Sequence, residues 1–216
     1  MKKFLSFLLV AVMLFSMSAC TIDEEVRGTV GSDPNAEETF SLGTTESNRY
    51  HSEFLGLSCT LPSEWVFYTD EEILELNNIV AGAMDEDVAA AIENADLIYD
   101  MYASNPNDYS SVNINLEKHT VLEITAINLK ASLEAQFAAI KSTYENMGYT
   151  NVQIRYEKIT VDGRELDAAV ITAEIAGLTF NATAFCFKKG RYLANVSVSA
   201  FGADNVNTIL SYFDFD

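Results

Sequence analysis

Apolar residues follow two different spacings along this chain. Alternation of apolar and polar residues is typical of a half-buried strand, and a repeat of three or four residues is typical of an amphipathic helix. The predicted strands are Tyr50–Thr60, Trp65–Tyr68, Leu97–Ala103, Val112–Leu116, Val152–Val161, Leu166–Ile175, Leu178–Phe187 and Tyr192–Ala200. The predicted helices run from the N-cap Thr69 to about Met84, over Asp87–Ala95, over about Ile124–Met147 and over Asn205–Tyr212. This order predicts an α+β fold, an antiparallel sheet with helices packed on its faces.

Local signals mark the ends of several elements. Thr69 and Glu72 have the spacing of a capping box, so we expect a helix to begin after Thr69. Gly148 follows the last apolar position of the long helix and is placed to end it. Asp162-Gly163, between two apolar runs, predicts a two-residue hairpin turn.

Two strands in the last third of the chain have unusual patterns. The apolar alternation changes phase between Tyr156 and Ile159, which predicts a β-bulge near Glu157-Lys158. Leu166–Ile175 is apolar on both faces, so we expect a central strand that is covered on both sides.

The N-terminal segment has the pattern of an export signal. Lys2 and Lys3 precede the apolar run Phe4–Phe15, which is too short to span a membrane as a mature helix. After Ser16, the residues Met17-Ser18-Ala19-Cys20 resemble the bacterial lipobox. This resemblance implies cleavage before Cys20 and a diacylglyceryl group on its thiol, with acyl chains such as palmitate buried in the bilayer. The alternatives are an ordinary secretory signal, with Cys20 a bystander, and an uncleaved transmembrane anchor.

The composition divides the chain into three parts. We expect a lipoprotein signal peptide over residues 1–19, the lipidated Cys20 with a flexible acidic tether over residues 20–48, and one globular domain over residues 49–216. The tether is rich in Glu, Asp, Gly, Ser and Thr and lacks apolar periodicity. The predicted location is the extracytoplasmic face of a bacterial cell membrane.

The charge limits the classes of partner. Cleavage before Cys20 removes two lysines and no acid, so the formal net charge moves from −19 to −21. Nucleic acids are excluded as partners, because their affinity comes mainly from Lys and Arg side chains that neutralise phosphates. The charge also argues against a domain lying flat on anionic headgroups. It fits a solvated acidic surface or, alternatively, cationic partners or a divalent metal.

Two cysteines remain after lipidation, Cys59 and Cys186. Export permits a disulfide between them. Both lie in predicted strands, and Cys186 is in phase with apolar positions of its strand. We therefore expect two buried free thiols rather than a disulfide or a nucleophile.

The sequence contains no strong catalytic or cofactor signature: it has no Gly-x-Ser-x-Gly elbow, phosphate-binding P-loop, His-Glu-x-x-His, Cys-x-x-Cys or EF-hand spacing. The best weak candidate is a row of polar residues on one face of a predicted strand, Asn113, Asn115, Glu117 and His119. Amide and carboxylate oxygens with an imidazole could bind a metal or a polar ligand. The plainer interpretation is the solvent face of an edge strand.

Two further features have weaker functional interpretations. Asp85-Glu86-Asp87 could bind calcium at the surface, or could simply be acids at a helix N-terminus. Trp65 could stack on a ligand, or could be a core residue beside an apolar strand.

The layout resembles the Mog1/PsbP-like fold. The resemblance covers most of Tyr50–Asp216 and rests on the aromatic first strand Tyr50–Leu57, on Leu61-Pro62-x-x-Trp65, and on the order of the helices and the final meander. It implies an αβα sandwich of the kind found in small bacterial lipoproteins, in a photosystem accessory subunit and in a nuclear-transport factor. It also implies an adaptor-like role rather than catalysis.

We therefore expect a membrane-tethered, non-catalytic binding or accessory domain that recognises a protein or a component of the envelope, without a cofactor. The alternatives are a lipoprotein that binds a small ligand or a divalent cation and, third, an unrecognised envelope hydrolase.

Overall fold

The computed structural model describes residues 40–77, 95–202 and 205–216. The strands in this part of the chain are β1 (Thr44–Glu46), β2 (Arg49–Ser52), β3 (Leu57–Thr60), β4 (Val66–Phe67), β5 (Leu97–Asn105), β6 (Ser110–Lys118), β7 (Thr150–Val161), β8 (Arg164–Ile175), β9 (Leu178–Lys189), β10 (Tyr192–Phe201) and β11 (Phe213–Phe215). The helices are α1 (Asp70–Leu76), α2 (Val121–Ala126), α3 (Leu129–Asn146) and α4 (Asn205–Leu210). Among the described residues, no helix is long and apolar enough to cross a membrane.

The strands form two antiparallel sheets, and the predicted α+β class is confirmed. The larger sheet has seven strands in the order β4-β5-β6-β10-β9-β8-β7, and the smaller has four in the order β1-β2-β3-β11. The C-terminal meander β7–β10 pairs each strand with the next along the chain. The long-range pairing of β6 with β10 joins this meander to β5 and β4.

The domain has two hydrophobic cores, one on each face of the larger sheet. The first core joins the larger sheet to the smaller one and to α4, and includes Tyr50, Leu57, Cys59, Phe213, Val112, Ile114, Val196, Val198 and Val206. The second core joins the opposite face to α2 and α3, and includes Ile124, Leu133, Ile140, Tyr144, Ala169, Ile171, Phe180, Ala182 and Ala184. Helices α2 and α3 therefore share one face, whereas a second sheet contributes most of the packing on the other.

The predicted strand Tyr50–Thr60 is a hairpin instead. Strands β2 and β3 are separated by a turn over residues 53–56, where the Leu55 amide donates to Ser52 Oγ at 3.2 Å and Gly56 has φ +60°. The turn residues Phe54 and Leu55 are buried in the first core. Because these two turn residues are apolar, the apolar pattern runs on from β2 to β3, and the sequence therefore predicts one strand.

The predicted long helix Ile124–Met147 is two helices. Ile127 is extended, with ψ 121°, and the Asn128 side chain accepts a hydrogen bond from the Ala131 amide at 3.1 Å. Asparagine at an N-cap satisfies a free amide of the next helix, so it favours a new start over continuation. A second capping box, between Thr120 and Glu123, begins α2.

The bulge predicted near Glu157-Lys158 is also wrong. Ile154 and Tyr156 contact the second core, whereas Ile159 and Val161 belong to the first. The phase changes because the apolar side chains in the first part of β7 face the second core, whereas those in its last part face the first core. The pairing with β8 continues there without an extra residue. The register shift of β7 lies between Thr150 and Gln153. The central position predicted for Leu166–Ile175 is confirmed by β8, which lies between β7 and β9.

Three end signals are confirmed. The capping box of Thr69 and Glu72 begins α1, Gly148 follows α3 with φ +91°, and Asp162 and Gly163 form a turn with φ values of 45° and 73°. Helix α1 ends at Leu76, before the predicted Met84. The rest of that predicted helix, and nearly all of Asp87–Ala95, lie outside the described residues.

Residues before the predicted domain boundary at residue 49 belong to the folded domain. Phe40 packs against Phe54 and Tyr192, with ring centroids 5.1 and 5.0 Å away. Leu42 packs on the first core, and β1 pairs with β2. Residues 40–48, which the sequence assigned to the tether, therefore contribute to the smaller sheet.

The contact between α3 and the larger sheet depends on small side chains. Ala169 is fully buried on β8 and belongs to the second core together with Leu133 and Ile140 of α3. We expect Ala169→Leu to lower the free energy of unfolding by about 1–3 kcal/mol, because extra methylenes in a packed core force side chains or the backbone to shift. Urea denaturation measures this change.

The matched control is Ala135→Leu on the exposed side of α3. Leucine is nearly as good a helix former as alanine, so the control is expected to stay within about 0.5 kcal/mol of the unsubstituted chain. Equal stability of the two variants would contradict the packing of α3 on β8.

Candidate functional site

The predicted polar row lies on β6, which is not an edge strand. Strand β6 lies between β5 and β10, so the edge-strand interpretation is wrong. Asn113, Asn115 and Glu117 are 1%, 0% and 6% exposed, and the side chain of His119 is 13% exposed. The row therefore lies on a covered face of the sheet rather than in solvent.

Strand β10 continues the row. The register places Asn195 opposite Asn115, Ser197 opposite Asn113 and Ser199 opposite Ser111. Paired residues of antiparallel strands point to the same face. The central strand pair thus has an apolar face towards the smaller sheet and a polar face on the other side.

Hydrogen bonds connect most of this polar face. Asn195 Nδ2 donates to Asn115 Oδ1 at 3.3 Å and to Glu117 Oε1 at 3.4 Å. Asn115 Nδ2 donates to Asn113 Oδ1 at 3.4 Å. Because a carboxylate only accepts hydrogen bonds, the NH2 group of the Asn195 side chain, rather than its oxygen, must face Glu117. The structure therefore brings the predicted residues together and adds Asn195 to them.

Two buried atoms of β10 have unused hydrogen-bonding capacity. Asn195 Oδ1 and Ser197 Oγ have no hydrogen-bond partner among the residues that the structure describes. A buried polar atom without a partner costs about 1–3 kcal/mol. The row therefore has room for further hydrogen bonds, although its burial leaves no open surface there. The ligand-binding role of Asn113, Asn115, Glu117 and His119 stays a prediction.

His119 lies at the end of the row beside Glu117. Its Nε2 atom is 3.7 Å from Glu117 Oε2, which is too long for a hydrogen bond. Burial lowers the pKa of His119, and the nearby Glu123 opposes this effect. The imidazole is therefore neutral at pH 7 and does not neutralise Glu117.

A second polar group is buried on β5, the strand next to β6. Asp100 is 5% exposed and lies where the pairing of β5 with β6 shifts between Tyr99 and Met101. A bulge of this kind can place two successive side chains on one face. Asp100 accordingly reaches the smaller sheet beside Met101.

Two neutral groups donate to the Asp100 carboxylate. The Tyr50 hydroxyl donates to Oδ2 at 2.6 Å and the Gly43 amide donates to Oδ1 at 2.7 Å. Burial raises the pKa of Asp100, and the two hydrogen bonds lower it. The effect of burial is larger, so the pKa is about 6. Burial also raises the pKa of Tyr50 well above its usual value, and the charge of Asp100 adds to this rise.

The chain approaches Tyr50 so closely at residue 43 that only glycine fits. A Cβ atom at Gly43 would overlap the ring of Tyr50. Glycine therefore lets the amide of residue 43 reach Asp100, and the two hydrogen bonds hold β1 and β2 against β5.

Asn77 connects α1 to β5 at Tyr99, away from the residues of β5 that pair with β4. Its Nδ2 atom donates to the Tyr99 carbonyl and its Oδ1 atom accepts from the Tyr99 amide, both at 2.7 Å. The side chain thus takes the place of a neighbouring strand at this residue. Between α1, the β1 segment and β5 lies a cavity of about 250 Å³, with Asp100 in its wall.

The other candidate residues take plainer positions. Trp65 is 9% exposed and belongs to the first core. Cys59 and Cys186 are buried free thiols, as predicted, and burial raises the pKa of Cys186 to about 12. Cys20 and Asp85-Glu86-Asp87 lie outside the described residues.

Sequence reasoning missed Asp100, Asn195 and Ser197. Asp100 is the single charged residue in the apolar run Leu97–Ala103, which is a readable signal for a special role. Asn195 and Ser197 alternate with alanine and valine, so the apolar positions alone predict this strand and the polar positions between them carry no separate signal.

The pH dependence of stability is expected to report on Asp100. Its pKa rises from a usual value of 3.8 to about 6 on folding, so the folded state binds this proton more tightly than the unfolded state. The resulting stabilisation is fully present below about pH 4 and is lost as pH rises through about 6, by about 3 kcal/mol.

Asp100→Asn removes this titration. Urea denaturation from about pH 4 to 8 measures the unfolding free energy of both proteins. The value for the unsubstituted chain minus the value for the variant is expected to fall with rising pH. A difference that stays constant across this range would contradict the burial of an ionisable group at Asp100.

Comparisons with known proteins identify no family. No protein-family model matches the chain, and no curated protein matches its sequence. Among solved structures, it is similar to a protein from Bacteroides thetaiotaomicron, with a TM-score of 0.37, 8% identity, and coverage of 80% of this chain and 49% of that one. It therefore spans about half the length of that protein.

It is also similar to LpqN, described as involved in cell envelope biogenesis of Mycobacterium tuberculosis, with a TM-score of 0.33, 11% identity, and coverage of 71% of this chain and 75% of that one. Both likenesses are distant, so the function proposed below rests on the residues of this chain.

Proposed function

We propose that this chain is a lipoprotein held on the extracytoplasmic face of a bacterial cell membrane by a lipid on Cys20. The observation that carries the proposal is the run Met17-Ser18-Ala19-Cys20, one residue after an apolar segment that follows two lysines. Two acyl chains would hold the chain stably, whereas one holds only reversibly.

The domain beyond the tether is proposed to be a binding or accessory module of the envelope without catalysis. Its acidic charge favours cationic partners and disfavours nucleic acid. The proposed fold type is Mog1/PsbP-like, supported by the place of Trp65 in the first core and by the meander that ends the larger sheet. The partner is proposed to be a protein or another component of the envelope.

A second candidate function is the binding of a small ligand or cation. The cavity beside Asp100 favours it, because a buried carboxylate, whose donors among the described residues are neutral, lies in the wall of a space of about 250 Å³.

Cys20→Ala is expected to release the protein from the membrane, because the diacylglyceryl group can form only on a thiol. Fractionation of cells that express the full chain measures the effect, together with metabolic labelling by a palmitate analogue. The unsubstituted chain is expected in the membrane fraction with label, and the variant is expected to lose the label.

The matched control is Cys186→Ala, which removes a buried thiol of β9 and leaves Cys20 intact. It is expected to stay labelled in the membrane fraction. An unlabelled Cys20→Ala chain that remains in the membrane would point to an uncleaved span, and an unsubstituted chain without label would point to plain secretion.

A further inference from the structure

The cavity beside Asp100 has walls from three parts of the fold. The β1 segment, the start of α1 and strand β5 each contribute, and the lining residues are Leu42, Gly43, Thr44, Thr45, Tyr68, Asp70, Ile73, Leu74, Asp100, Met101 and Tyr102. These parts are fixed to each other by the hydrogen bonds of Asp100 and Asn77. The cavity is thus a formed feature of the domain.

The charged side chains that line the cavity in the described part of the chain are both negative. Asp70 and Asp100 line it, and no lysine, arginine or histidine among the described residues does. Among the described residues, no cationic side chain pairs with Asp100, whose donors are a hydroxyl and an amide. A buried carboxylate is costly unless it is paired with a positive charge. A cation is therefore the partner that this site lacks.

The remaining walls are mainly aliphatic and aromatic, with Gly43, Thr44 and Thr45 added by the β1 side. Leu42, Ile73 and Met101 supply alkyl surface, and the rings of Tyr68 and Tyr102 lie 4.5 Å apart. A divalent metal prefers several oxygen ligands, and the described residues hold no group of three or more His, Cys, Asp or Glu side chains that could bind one. An ammonium with alkyl groups suits this lining better, since aromatic faces attract such cations.

We propose that this cavity binds a small organic ammonium ion, with the Asp100 carboxylate as its counter-ion and the Tyr68 ring against its alkyl groups. The proposal deepens the binding role proposed above by naming a ligand class, and it does not depend on the lipid anchor. The wall formed by residues 42–45 follows, along the chain, the segment that leads from Cys20.

Isothermal titration calorimetry with choline tests the site. The protein is the chain over residues 20–216 with Cys20→Ala, which includes every residue of both cores. At about pH 8, where Asp100 is ionised, we expect saturable binding of choline and at least about tenfold weaker binding of its uncharged tert-butyl analogue, in which carbon replaces nitrogen. Equal affinity for the two compounds, or no binding of choline, would overturn the proposal.

Substitutions locate the binding. Asp100→Asn is expected to weaken choline binding about tenfold or more, because it removes the counter-ion. The matched control Asp214→Asn changes an exposed aspartate of β11 and is expected to leave the affinity unchanged. Choline binding that survives in Asp100→Asn would place the ligand elsewhere.

Tyr68 provides an independent test if Asp100→Asn fails to fold. Tyr68→Phe keeps the ring and is expected to bind choline as before, whereas Tyr68→Leu is expected to bind it several-fold more weakly. Equal binding by both variants would exclude the ring contact. A negative result with choline leaves the fractionation of Cys20→Ala unaffected, so the two proposals fail separately.

Discussion

The pairing of β6 with β10 holds the two halves of the larger sheet together. Eight residue pairs, from Tyr192 with Lys118 to Ser199 with Ser111, join segments that lie about eighty residues apart. Strands β5 and β4 lie on one side of this pair and the meander β7–β9 on the other. Because side chains alternate between faces, a slip by one residue would exchange the apolar and polar faces of the pair. The hydrogen bonds of Asn195 to Asn115 and Glu117 oppose such a slip, since only one register aligns them.

The polar row of β6 and β10 and the Asp100 carboxylate are both buried, and different kinds of hydrogen bond offset the cost of burying them. On β6 and β10, amides and a carboxylate hydrogen bond across the strand pair, so the cost of burial is offset within one sheet. At Asp100, the donors come from the smaller sheet and the segment before it, so burial of the carboxylate connects separate layers. The first arrangement fixes register, and the second fixes the position of the N-terminal segment.

Local rules explain which parts of the fold the sequence could predict. The capping box at Thr69, the turn at Asp162-Gly163 and the doubly covered strand β8 depend on neighbouring residues, and the structure agrees with them. The prediction failed where a distant contact gives a residue its role: Phe54 and Leu55 are buried within a turn, and β7 exchanges one core for the other. The buried face of Asn113 and Asn115 depends on the partner strand β10, which the sequence pattern of β6 cannot reveal.

The position of β1 has a mechanical consequence for an anchored protein. This strand of three residues lies at the edge of the smaller sheet, and the segment before it is the one that leads to Cys20. If the proposed anchor on Cys20 were pulled, the force would enter the described residues at Phe40 and then load the short pairing of β1 with β2. The C-terminal strand β11 is held on the opposite edge, against β3, away from that load. The edge of the smaller sheet would therefore peel away under tension before the larger sheet is strained, and the Gly43 contact with Asp100 would break with it.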